Sequence, residues 1–172
     1  MPSYVPDGSA WIPGQHWAER KQAGRAAERR TTETARRILA GQRRALSVRR
    51  PWANLIFAGK TVENRTWEPP AGTLGTEFVV HAGQTWAPAG AALADELGIT
   101  GFDNPRHCPG GYLGTVRLVD VHPSADCCTP WGHQDPGTYH WVLADPTLFD
   151  KPIPGRGRLG LYWLPTNWRT ID

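Results

Sequence analysis

Three ionisable side chains crowd six positions of the sequence: Lys60, Glu63 and Arg65, within the stretch GKTVENRTW from Gly59 to Trp67. A carboxylate accepts hydrogen bonds from amino and imino groups, whereas ammonium and guanidinium groups donate to carbonyl and phosphate oxygens. Together they offer the mixed pattern that reads the edge of a nucleobase. Side chains alternate along a strand, so Glu63 and Arg65 fall on one face. Trp52 and Trp67 flank the cluster, and an indole supplies the surface on which a splayed base stacks. Ser47 and Arg49 share one side of a preceding short strand, and His81, at the end of a later strand, is within reach of the candidate cleft. Each has a plainer role to weigh: a cross-strand ion pair, Trp52 as core, Ser47 bonded to backbone, and His81 or His140 as a buried structural imidazole. As chemistry, Lys60 with Glu63 or His81 can serve as general acid and base, with Thr61 as a neighbouring hydroxyl. No pairing of Ser47 with a His and an Asp can be argued from spacing.

A second set of residues points to phosphates. Residues 1–50 hold 11 Lys and Arg against four Asp and Glu, whereas the remainder holds eight against 12, so a basic half precedes an acidic one although the net charge is only +3. The pairs Arg29-Arg30, Arg36-Arg37 and Arg43-Arg44 recur every seven residues, close to two helical turns, and share a face if the helix persists to Arg44. Arg50 extends the track onto the body. Repeated guanidinium pairs concentrate positive potential where a polyanion releases counterions, which favours RNA or single-stranded DNA as partner over an anionic membrane. The competing reading is a solvated helix face that Glu19, Glu28 and Glu33 partly neutralise.

Metal chemistry is not expected. His107, Cys108, His122, Cys127, Cys128 and His133 include a thiolate and imidazole set, but no Cys-x-x-Cys occurs and adjacent Cys127 and Cys128 are hard to aim at one tetrahedral centre. Gly110-Gly111 and Gly155-x-Gly157 lack the lysine and helix of a phosphate loop, so they read as turns and no cofactor is expected.

The elements that must position these groups follow from the pattern. A chain of 172 residues suits one domain with an appendage. Residues 1–14 read as a leader without structure and residues 15–44 as a basic helical arm, with helix from about Gln15 to Ala40 and Gly41 as its stop. Ala45 to Arg49 is a strand, Pro51 opens an apolar helix that Gly59 ends, and Thr61 to Trp67 is a strand. Strands follow at Glu77 to Ala82, Gly111 to His122, Tyr139 to Leu143 and Leu159 to Leu164, with a helix over Thr85 to Leu97 and a Pro/Gly-rich connection over Pro146 to Gly157. No apolar run reaches 18 residues and no basic leader precedes an apolar stretch, so neither a membrane span nor a secretory signal is expected. Three cysteines cannot all pair, which makes a cytoplasmic protein with reduced thiols the expectation.

The stretch from Leu46 to Trp67, LSVRRPWANLIFAGKTVENRTW, resembles the N-terminal signature of the ASCH family, a branch of the PUA-like superfamily. The similarity continues through His81-Ala82, the strand at 111–116, Tyr139 to Leu143 and the closing Gly160 to Trp163. It implies an α+β fold over residues 45–165, a small, partly open, mainly antiparallel β-barrel with flanking helices, a tail at 166–172, and a cleft for RNA or a nucleobase lined by the strand face of Ser47 and Arg49, with the basic helix outside it. Some ASCH proteins are similar to amidohydrolases of N4-acetylcytidine that use a Lys, a Thr three positions later and a distant Glu. Lys60 matches the Lys, but Glu63 stands where the Thr would be, which leaves the nucleophile's place vacant. Other members have ribonuclease activity. The resemblance therefore favours nucleic-acid binding, with a hydrolase of RNA or a modified nucleoside as one alternative and docking of the arginine helix on an acidic protein as another.

Overall fold

Ala, Glu, Arg, Gln and Lys dominate the first element of the computed structural model, which describes residues 15–170; the expected leader over 1–14 and the end of the tail lie outside them. Helix α1 spans Gln15–Leu39. It ends as the sequence predicts, at Gly41, whose φ of +79° suits glycine. The Gln42 amide donates to Arg37 O and the Gly41 amide to Ile38 O, the bond pair that closes a helix with a left-handed residue. Arg43 and Arg44 are therefore not helical, and the third pair does not continue the stripe.

The remaining elements are β1 (Arg44–Arg50), α2 (Trp52–Ile56), β2 (Val62–Arg65), β3 (Glu77–Trp86), α3 (Pro88–Glu96), β4 (Gly111–Pro123), β5 (Tyr139–Ile153) and β6 (Leu161–Trp163), with a 3-10 turn at Trp168–Thr170. Six strands form one sheet in the order β2-β5-β4-β3-β1-β6. Only β1 and β3 run parallel; the other neighbours are antiparallel. The fold is thus mixed α and β, as expected. Among the described residues β2 and β6 end the sheet without pairing to each other, so the strands form an open sheet and do not close into a barrel.

Strands at the middle of the sheet bury both faces, which explains their near-continuous apolar runs. Leu46, Val80, Val116 and Trp141 face one core with Ala53 and Ile56 of α2. Ala45, Val79 and Tyr112 face another with Leu164 and Trp168. Strand β5 runs ten residues past the expected Leu143, through Pro146 and Pro152. The sequence reads these prolines as a break, but Asp145 turns to φ +52° and the register shifts between Thr115 and Arg117, so a bulge absorbs Pro146 and pairing resumes. Among the described residues no helix is long and apolar enough to cross a membrane.

Candidate functional site

Strand β2 leaves the sheet edge close to β1, and side chains bridge the interval that strand pairing does not. Glu63 and Arg65 share a face of β2, as alternation predicts, and the Arg65 guanidinium donates from Nη2 to Ser47 O of β1 at 2.9 Å. Glu63 takes one cation on each oxygen: Lys60 Nζ at 2.7 Å on Oε2 and Arg65 Nη2 at 3.1 Å on Oε1. Lys60 also donates to Val62 O. Lys60 is 3 % exposed and Glu63 7 %. Burial alone would raise the Glu63 pKa, but the Lys60 ammonium and the Arg65 guanidinium outweigh it and hold the carboxyl below its ordinary value.

This triad lines one side of a cavity of about 150 Å³. Ser47, Val48 and Arg49 of β1, Trp52 of α2, Asn64 of β2 and His133 from the β4–β5 loop complete it. Arg49 is exposed at the rim, and Trp52 is half-buried with its ring 5.9 Å from Lys60 Nζ. Trp52 is wedged against α3, where a side chain on Gly90 would come within 2.9 Å of the indole. One donor in this wall is unspent: Arg65 Nε is buried without a hydrogen-bond partner. A buried guanidinium nitrogen in that state calls for an acceptor from water or ligand.

The other expected cleft residues separate. Trp67 does not line the cavity; its ring meets Trp141 edge-on at 4.8 Å and caps the core. Thr61 is exposed and lies outside the cavity, with its carbonyl taken by the Leu143 amide. His81 is buried and satisfied. Its Nε2 bonds Gly155 O at 3.1 Å and its Nδ1 meets Ser47 Oγ at 3.3 Å. Burial lowers its pKa, against a smaller opposite influence of the Gly155 carbonyl, so the ring is neutral at pH 7 and Nε2 carries the proton. The Ser47 hydroxyl then donates to Nδ1 and accepts from the Arg158 amide at 3.1 Å. This latch holds residues 154–158 over a second, open groove of about 980 Å³, which Ser47, Arg50, Arg156 and Arg158 help to line.

Sequence reasoning missed Asn64, His133, Arg156 and Arg158. Asn64 clamps the distant loop, donating to Trp131 O at 2.8 Å and accepting from the His133 amide at 2.9 Å, and no local pattern signals that contact. Arg156 lies in the Pro/Gly-rich connection over Pro146 to Gly157, whose pattern signals only turns, and Arg158 lies just beyond it.

The expected phosphate contacts also divide. Arg29 and Arg30 are exposed on α1. Arg36 and Arg37 both bind Glu33, at 2.9 and 2.7 Å, and take its pKa down to about 2. Arg43 lies 3.9 Å from Glu77. Arg44 departs from expectation: it is 7 % exposed, bonded to Thr34 Oγ1 at 2.6 Å and to Thr73 Oγ1, and its guanidinium lies 4.6 Å from the Trp163 ring centroid. Arg50 likewise spends its donors on the carbonyls of Gly83, Gln84 and Cys108 at 2.9 to 3.1 Å. Both arginines fasten the fold, Arg44 through two threonine hydroxyls and Arg50 through three backbone carbonyls. The adjacent cysteines also depart from expectation, since Cys127 and Cys128 turn toward His122 and His140 together.

No curated protein matches the chain. The family model described as the ASCH domain matches residues 46–153, which take in every residue of the small cavity and leave α1, Arg156 and Arg158 outside. With the signature from Leu46 to Trp67 folded around that cavity, the chain belongs to the ASCH family.

Proposed function

We propose that this ASCH chain binds single-stranded or locally unpaired nucleic acid, one base entering the small cavity beside Trp52 while phosphates lie along the basic rim and groove. The observation that carries this reading is the unpartnered Arg65 Nε in a wall of buried charge that opens beside Arg49. Burying a Lys–Glu–Arg cluster costs more desolvation than apolar side chains of similar volume would, so its position at an opening favours recognition over stability. The cavity is smaller than the ~300–1,000 Å³ of drug-sized sites, which suits a single ring and not a whole nucleotide. Lys60, Glu63 and Arg65 then act as a pre-ordered floor: Arg65 Nε donates to a base carbonyl, and the free lone pairs of Glu63 accept from an amino group. Arg49, Arg156 and Arg158 offer phosphate contacts close to the base, and Arg29 and Arg30 extend the grip along α1. The domain division at residue 45 follows the same split of labour, arm for grip and body for choice.

Anisotropy titrations of labelled homopolymeric RNA and DNA oligonucleotides test the proposal. Arg65→Lys keeps the charge but loses the planar fork, so it is expected to erase base preference by about tenfold or more while leaving the salt dependence intact. Trp52→Leu is expected to weaken every base alike, by the ~1–3 kcal/mol of a lost stacking platform. Wild-type preference in Arg65→Lys together with wild-type affinity in Trp52→Leu would defeat the cavity reading. Product formation from RNA or acetylated cytidine, lost in Lys60→Ala, would favour the hydrolase alternative instead.

A further inference from the structure

Two histidines meet across the sheet where β4 ends and β5 begins. His122 and His140 are register partners, with ring centroids 5.2 Å apart and planes at 78°. The loop over residues 124–138 folds back on them and brings Cys127 and Cys128 to the same place. One ligand atom from each of the four residues can be chosen so that all lie within 4.8 Å of one another.

Hydrogen bonding indicates which ring nitrogens keep a lone pair for a metal. His140 Nε2 lies 2.7 Å from His133 O, and His122 Nδ1 lies 3.0 Å from Pro123 O. A carbonyl only accepts, so each of these ring nitrogens carries its proton. The opposite nitrogens, His140 Nδ1 and His122 Nε2, keep their lone pairs, and both face sulfur: Cys127 Sγ at 3.6 Å and Cys128 Sγ at 3.6 Å. Cys127 Sγ also lies 3.9 Å from His122 Nδ1, and Asp120 places a carboxylate 3.9 Å from His122 Nε2. Histidines whose second nitrogen donates to a backbone carbonyl are oriented as metal ligands usually are.

The distances and charges fit one class of ion. Bonds of ~2.3 Å to sulfur and ~2.0–2.1 Å to nitrogen put tetrahedral ligand atoms roughly 3.3–3.8 Å apart. The two sulfur–nitrogen contacts already match, and the widest pair needs to close by only about 1 Å. Two thiolates balance a divalent ion, and a sulfur and imidazole set selects zinc over magnesium or calcium.

The sequence objection to adjacent cysteines has a structural answer. Cys128 adopts φ +61°, in the left-handed region, so consecutive side chains converge instead of alternating. The loop is built around that turn. Cys128 O accepts the amides of Trp131 and Gly132, at 3.0 and 2.7 Å, and a side chain on Gly132 would come within 2.8 Å of His140 Cε1 and 2.9 Å of Cys128 Cβ.

We propose that His122, Cys127, Cys128 and His140 form a closed, tetrahedral zinc site that staples the β4–β5 loop. Binding releases the two thiol protons to solvent, and with four protein ligands the ion has no open position, so its role is structural. The stapled loop is the one that delivers His133 to the small cavity, gripped by Asn64 on its far side. Zinc thus sets one wall of the candidate base site, although the metal site stands whether or not a base binds.

The test uses the full chain without an affinity tag, purified under reductant. Elemental analysis is expected to find about one zinc per chain, and the stripped protein titrated with cobalt(II) alone to show tetrahedral d–d bands with charge transfer from two thiolates, reversed by zinc. Cys127→Ser and His140→Gln are expected to weaken zinc binding by more than the ~10–100-fold of an outer-shell change, whereas Cys108→Ser, whose thiol is buried elsewhere, binds as wild type. The cobalt spectrum of the unaltered chain is read independently of whether any variant folds. An octahedral spectrum, a stoichiometry near zero, full zinc retention in the Cys127→Ser/Cys128→Ser double variant, or a metal-free Cys127–Cys128 disulfide in the reduced preparation would each overturn the proposal.

Discussion

Glu63 is bound at both oxygens by cations, the Lys60 ammonium and the Arg65 guanidinium, so its charge matters to stability before any ligand arrives. Removing one partner of a buried pair leaves the rest uncompensated, at a cost of roughly 3–5 kcal/mol, and Glu63→Gln is expected to fall in that range by denaturant unfolding. The sign of its pH dependence follows from the depressed pKa. A carboxyl lowered in the folded state contributes stability above its unfolded value, 4.5, and loses it as pH falls through the folded value. The wild-type advantage over Glu63→Gln should therefore be flat from pH 7 to about 4.5 and shrink below that; an advantage that fades near neutrality would mean that the carboxyl is not held down. Spacing alone made this triad legible, because i, i+2 and i, i+3 relations are local. Asn64 was not legible, since its partners lie 67 and 69 positions away and amide side chains advertise no partner in a sequence.

At the scale of elements, α1 is fastened to the body along its second half. Thr34 is buried, Arg44 bridges it to Thr73, and Arg37 and Arg44 both lie over Trp163, at 5.2 and 4.6 Å from its centroid. Gly72 completes the seat at φ +77°, where an added side chain would come within 3.0 Å of the Thr31 Cα. Backbone on backbone has no flexible end to yield. Gly72→Ala is expected to cost about 1–3 kcal/mol through strain and to raise amide exchange in Thr31 to Leu39 more than in β3 or β4. Uniform loss of protection would mean that helix and sheet open as one unit. The sequence signalled the helix and its stop because composition and a terminal glycine are local. It did not signal the docking, because an arginine that closes an i+7 stripe and one that bridges two threonines look alike until the turn at Gly41 rotates Arg44 inward. Strand β5 was underestimated for a related reason: a proline that ends most strands survives where a bulge frees it from donating.

For the whole molecule the question is which positive charges remain to meet a polyanion. Of the seven arginines whose sequence positions suggested phosphate contacts, Arg44 is spent inside the fold, Arg50 spends its donors on backbone carbonyls at the groove wall, and Glu33 holds Arg36 and Arg37. Arg29 and Arg30 on α1, Arg49 at the cavity rim, and Arg156 and Arg158 on the groove are exposed. Salt dependence separates the two groups, because each phosphate neutralised contributes about 0.7 to the slope of log affinity against log salt on a single strand. Arg29→Gln/Arg30→Gln and Arg156→Gln/Arg158→Gln are each expected to lower the slope by roughly 1.4 with little change in thermal stability. Arg50→Met should do the reverse, leaving the slope near wild type and lowering the melting temperature, because three backbone carbonyls lose their donor. If Arg50→Met flattens the slope while the exposed pairs do not, the partner reaches the protein from a side other than the basic rim, and the division between anchoring and binding arginines fails.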